Sequence, residues 1–95
     1  MSVLLLTYDL NHEARRPPIV KFIKENYAWA RLSESCYAIE TILSPTAVYQ
    51  IFSNFLDADD QLYVITLALP AEGQGPEDVN QWLVGKLRWT PALVA

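Results

Sequence analysis

Basic residues, cysteine, histidine and glycine are all scarce in this 95-residue chain, and each shortage removes a class of function. Seven lysines and arginines face eleven aspartates and glutamates, for a net charge of −4. That balance argues against a protein that coats nucleic acid with a broad basic face, because phosphate binding depends on Lys and Arg neutralisation. The single cysteine, Cys36, has no partner for an internal bridge. No Cys/His pair has zinc-ligand spacing, so a secreted disulfide scaffold and a zinc module both drop out, and a reducing cytoplasm is the expected location. All three glycines, Gly73, Gly75 and Gly85, lie in the C-terminal quarter, which leaves no glycine-rich phosphate loop near the N-terminus. The N-terminal apolar run, Val3 to Leu6, is too short for a signal core or a membrane span, so no membrane partner is expected.

What the chain has in quantity is apolar surface. At 52% apolar and 12% aromatic it can build the core of one compact domain, and it carries more such residues than a chain of this size easily hides. Association with a second copy is therefore expected. The charge is uneven along the chain. Residues 1–31 hold five basic residues against three acidic ones, and residues 32–95 hold two against eight, so a local basic patch on an acidic body is possible.

The order of elements follows from periodicity and punctuation. Val3 to Tyr8 reads as a buried strand ending at Asp9. Ile19, Phe22, Ile23 and Tyr27 give one apolar helical stripe, with the helix starting at Pro18 and Asn26 as its stop. Ala28 to Leu32 and Ser35 to Ile42 lack helical periodicity and read as a strand pair joined tightly through Ser33-Glu34-Ser35. Ser44 before Pro45 is a helix start, and Val48, Ile51, Phe52, Phe55 and Leu56 extend the helix behind it. The acidic turn Asp57-Ala58-Asp59-Asp60 leads into a strand over Leu62 to Leu69 that reads as well buried. After "PAEGQGP", Val79, Trp82, Leu83 and Leu87 suggest a short packing helix, and "WTPALVA" reads as a tail.

Two strand-helix-strand crossovers joined by a hairpin give an α+β, ferredoxin-like βαββαβ plan. Its antiparallel four-stranded sheet is covered by two helices on one face. Residues 1–69 form this domain, and residues 70–95 form a helical or strand appendage packing on the same domain or on the dimer partner. The other sheet face needs a cover, and a second copy packed sheet to sheet, with the appendage extending or sealing the contact, would supply it.

The stretches "LLLTYDLN", "RRPPIVKFIKEN", "RLSESCYAIET" and "DADDQLYVITL", in that order, resemble the small dimeric CRISPR-associated endonuclease superfamily. That superfamily includes the second CRISPR adaptation protein and the virulence-associated protein D nucleases, and the likeness is greater to its short bacterial and phage members. It covers Val3 to Leu69, and only Tyr8-Asp9 is chemically pointed. The resemblance implies a homodimeric, magnesium- or manganese-dependent endonuclease acting on RNA or DNA, with the metal-binding carboxylate at Asp9. One or two carboxylates plus substrate phosphate can hold such a cation, which keeps several of its waters.

Arg15, Arg16, Lys21, Lys24 and Arg31 are the candidate phosphate contacts, since guanidinium groups suit bidentate binding. Tyr8, Asn11 and His12 are candidate supporting groups. Each has a plainer reading beside it. Asp9 can be a turn former, the cations a solvated helix face, His12 a surface loop residue and Cys36 a small core hydrophobe. The alternative function is a non-catalytic homodimeric adaptor or regulator that binds a protein partner or nucleic acid.

Overall fold

The computed structural model describes residues 1–12, 14 and 16–89. Strand β1 (Ser2–Asp9) is followed by helix α1 (Arg16–Asn26), the hairpin β2 (Ala28–Ser33) and β3 (Cys36–Thr41), helix α2 (Pro45–Phe52), strand β4 (Gln61–Leu67) and helix α3 (Glu77–Lys86). The four strands form one sheet in the order β2-β3-β1-β4, with every neighbouring pair antiparallel. This is the ferredoxin-like α+β arrangement.

The period of two along β1 divides the molecule. Leu4, Leu6 and Tyr8 point to the side of α1 and α2, where they meet Ile19 and Ile23 of α1, Val48 and Phe52 of α2, and Tyr37, Ile39 and Leu62 of the neighbouring strands. Phe52 is fully buried and meets Phe22 edge to face, with ring centres 5.4 Å apart. Val3 points the other way, into a second cluster with Ala38 and Leu87, against which Leu67, Leu69, Trp82 and Leu83 pack. Lys86 of α3 pairs there with Glu40 of β3 at 3.1 Å. Helix α3 thus covers one end of the face opposite α1 and α2, using residues of its own chain.

Local chemistry sets the helix ends. Pro17 and Pro18 fall in the first turn of α1, which begins at Arg16 rather than Pro18, because a missing N–H costs nothing there. Ser44 caps α2 by accepting the Ala47 N–H at 3.2 Å. Helix α2 ends at Phe52, short of the expected Phe55 and Leu56. The Ser53 hydroxyl donates to the Gln50 carbonyl at 2.8 Å and the Asn54 amide to that of Ile51 at 3.0 Å, which favours a 3₁₀ turn over Ser53–Phe55. Phe55 and Leu56 still reach the core from that turn.

Strand β4 departs from its expected burial. It is an edge strand, and while Leu62 is buried, Tyr63 is 62% and Ile65 49% exposed. Both stand on the sheet face opposite α1 and α2, beyond the part that α3 covers. The tail expected over Trp89 to Ala95 lies, apart from Trp89, outside the described residues. Trp89 bridges Leu69 in parallel.

Candidate functional site

The end of β1 is where the topology gathers polar side chains. The β2–β3 hairpin reaches the same end, since the Tyr8 N–H donates to the Ser35 carbonyl at 3.0 Å, and Gln61, the first residue of β4, stands opposite Asp9. The segment after β1 is clipped to the acidic turn. The Asn11 backbone N–H donates to Asp60 Oδ1 at 2.8 Å and its side-chain amide to Asp59 Oδ2, while the Asp57 N–H donates to Asp60 Oδ2 at 2.8 Å. Asn11 and these carboxylates therefore hold the loop in place.

Alternation puts Tyr8 and Asp9 on opposite faces of the sheet. Asp9 is exposed at the rim of the uncovered face, in one row with Thr7 and Leu5, which stand opposite Tyr63 and Ile65 in the adjoining strand. Tyr8 faces α1 and is only 5% exposed, and its hydroxyl has no hydrogen-bond partner among the described residues. The guanidinium carbon of Arg16, at the start of α1, lies 5.9 Å from the centre of the Tyr8 ring. That guanidinium also holds Glu34 of the hairpin, with Nη1 3.1 Å from Oε1 and 3.2 Å from the backbone carbonyl.

Burial pushes the Tyr8 phenol up to about 12. The neighbouring Tyr37 adds to the rise, and the positive charges of Arg16 and Arg31 oppose it. Burial also raises the Cys36 thiol, against hydrogen bonds with Thr7 and Ser33 that pull it down.

The remaining candidate cations lie on the α1 side. Arg31 is exposed on β2, directly across from Tyr37. Trp29, two residues earlier on the same face, packs its ring 5.9 Å from that of Tyr37 and carries the Lys24 ammonium 4.9 Å from its centre. Lys21 is exposed on α1, and His12 is exposed in the bend after β1. Arg15 lies outside the described residues. The structure thus brings Tyr8, Arg16, Arg31 and Lys24 to one side, with Trp29 and Tyr37 between them, and sets Asp9 on the other.

Sequence reasoning gave Tyr37 no role and read Glu34 as hairpin chemistry. A hairpin placed between the two crossovers must return to the end of β1, and that topological signal locates both residues. No group of three His, Cys, Asp or Glu side chains among the described residues converges where it could hold a metal ion. Among the described residues of one chain no second carboxylate converges with Asp9, which falls short of a closed magnesium or manganese site. No helix among the described residues is long and apolar enough to cross a membrane. No protein-family model matches the chain, and no curated protein matches it.

Proposed function

We propose that the chain acts as a homodimeric endonuclease on RNA or DNA, of the CRISPR-associated endonuclease superfamily that it resembles, with Asp9 of both copies as its metal-binding carboxylates. The observation that carries this reading is the position of Asp9. It lies at the rim of the same uncovered face as the exposed Tyr63 and Ile65. Covering that apolar surface with a second copy would draw the two Asp9 side chains toward a common seam and make up the donor set that one chain lacks. A hard divalent cation bound there supplies charge neutralisation and a more acidic water for in-line attack on a phosphodiester. Arg16, Arg31 and Trp29 lie on the opposite side of the sheet from Asp9, so they would hold a more distant part of a bound strand and not the phosphate at the metal.

Cleavage of labelled RNA and DNA in magnesium or manganese tests this. The expected result is turnover that drops at least a hundredfold in Asp9→Asn, while the dimer and the circular dichroism spectrum stay unchanged. Equal cleavage by both proteins would place the activity elsewhere.

A second reading, a non-catalytic homodimeric adaptor, is favoured by the commitment of neighbouring groups. Arg16 is held by Glu34, and Asp59 and Asp60 by Asn11. It predicts no metal-dependent turnover and binding that survives Asp9→Asn. A steep salt dependence would identify the bound partner as nucleic acid and a flat one as protein.

A further inference from the structure

Helix α3 is held on the sheet without fully burying any of its own ten residues. Leu87, just past its end, is the buried contact, while Trp82 and Leu83 are only half-buried against that cluster. Beside the helix lies a cavity of about 450 Å³. Its walls include Leu32 of β2, Leu69 beyond the end of β4, Val79 and Leu83 of α3, and residues 71–76. Among the described residues that line it, Glu72 alone is charged. Native interiors are close-packed, with few voids larger than a water molecule, so an apolar space of this size calls for a filling.

The chain itself delivers one. The Leu69 N–H donates to the Arg88 carbonyl at 2.7 Å, and Trp89 bridges Leu69 in parallel. Parallel pairing gives the two segments the same heading. The chain therefore leaves Trp89 beside one wall of the cavity, on the heading with which it leaves Leu69 toward residues 71–76, another wall. Residues 90–95, outside the described residues, carry no charged side chain, and Pro91-Ala92-Leu93-Val94-Ala95 is apolar throughout. Six extended residues reach about 20 Å, against about 15 Å for the ten residues of α3. The segment is long enough to run the length of the helix. So short a tether also gives it a local concentration on the order of millimolar, which favours it over a segment of another molecule.

We propose that residues 91–95 fold into the cavity beside α3 of their own chain, with Leu93 and Val94 as its filling, and so latch the helix to the sheet. The proposal is independent of the reading of Asp9, which stands at the opposite end of β1 from Val3 and Leu87.

Three measurements test it. In the full chain, methyl NOEs are expected from Leu93 or Val94 to Val79 or Leu83. A chain stopped after Thr90 should exchange the amides of Glu77–Lys86 at least tenfold faster than the full chain, with those of β1 unchanged. The acetylated peptide Thr-Pro-Ala-Leu-Val-Ala, added to the stopped chain at millimolar concentration, should restore that protection, and the same peptide with aspartate in place of leucine should not. The proposal is overturned if no such NOE appears, if the stopped chain keeps its α3 protection, or if the two peptides act alike. If the stopped chain fails to fold, the NOEs of the full chain decide alone. NOEs seen only between chains, in a mixture of isotope-labelled and unlabelled protein, would also overturn it by assigning the segment to a second copy.

Discussion

Tyr8 lies beneath Arg16, whose guanidinium carbon is 5.9 Å from the centre of the phenol ring, while the same guanidinium grips Glu34 at 3.1 Å. Strand, helix and hairpin are thus joined through one arginine at the end of β1. The Tyr8 hydroxyl is buried there with no hydrogen-bond partner among the described residues.

Tyr8→Phe removes that hydroxyl. A buried hydroxyl without a partner costs roughly 1–3 kcal/mol, so its removal should raise stability at pH 7 by about 1 kcal/mol in urea unfolding. The pH dependence has a definite sign. The phenol's folded value is raised to about 12 from an ordinary 10, so the neutral form is favoured by folding. Its contribution is complete below pH 10 and is lost as the pH rises toward 12. The wild-type protein should therefore lose on the order of 2 kcal/mol more than Tyr8→Phe across that window.

Glu34→Gln tests how far the hairpin restrains Arg16. Glu34 is largely exposed, so the pair adds little stability, and the variant should unfold within about 0.5 kcal/mol of wild type. Releasing the guanidinium from a carboxylate should strengthen binding of single-stranded RNA a fewfold and steepen its salt dependence. Unchanged affinity and slope would mean that Arg16 serves the fold alone.

Much of this architecture could be read from the chain because the signals were local. The stripe Ile19, Phe22, Ile23 and Tyr27, the Ser44-Pro45 start and the apolar run ending at Asp9 each depend on nearest-neighbour rules, and each element is present. What could not be read depends on neighbours in space. Tyr63 and Ile65 look like core residues in sequence, and only the strand order makes β4 an edge with one face open. The α2 end was set by Ser53 and Asn54, whose side chains competed for carbonyls against an apolar stripe that continued past them. The separation of Tyr8 from Asp9 follows from the pleat, yet their adjacency in sequence suggested one site.

The two cores should respond differently to truncation. Phe52→Ala removes a fully buried ring of α2 from the core that both helices form with the sheet and should cost about 3–5 kcal/mol in urea unfolding. Leu87→Ala acts on the smaller cluster that anchors α3 to Val3 and Ala38. It should cost about 2–3 kcal/mol and expose the bond after Lys86, at the end of α3, to trypsin before the sheet is lost. Simultaneous loss of both regions would show that α3 and the sheet unfold as one cooperative unit.

Ile65→Lys addresses the uncovered face itself. Ile65 is about half exposed beside Leu5 in the central strand, so a lysine there can extend into water in a single chain and cost little stability. Between two sheets packed face to face, the same ammonium would be buried against its symmetry mate, a penalty of several kcal/mol. If the face is a dimer seam, light scattering should show wild type at twice the chain mass and Ile65→Lys at the mass of one chain, with matching circular dichroism. Asp9 is intact in that variant. Loss of metal-dependent cleavage in the folded monomer would therefore mean that the carboxylate works only opposite its copy, whereas a monomer that cleaves as fast as wild type would show that one Asp9 suffices.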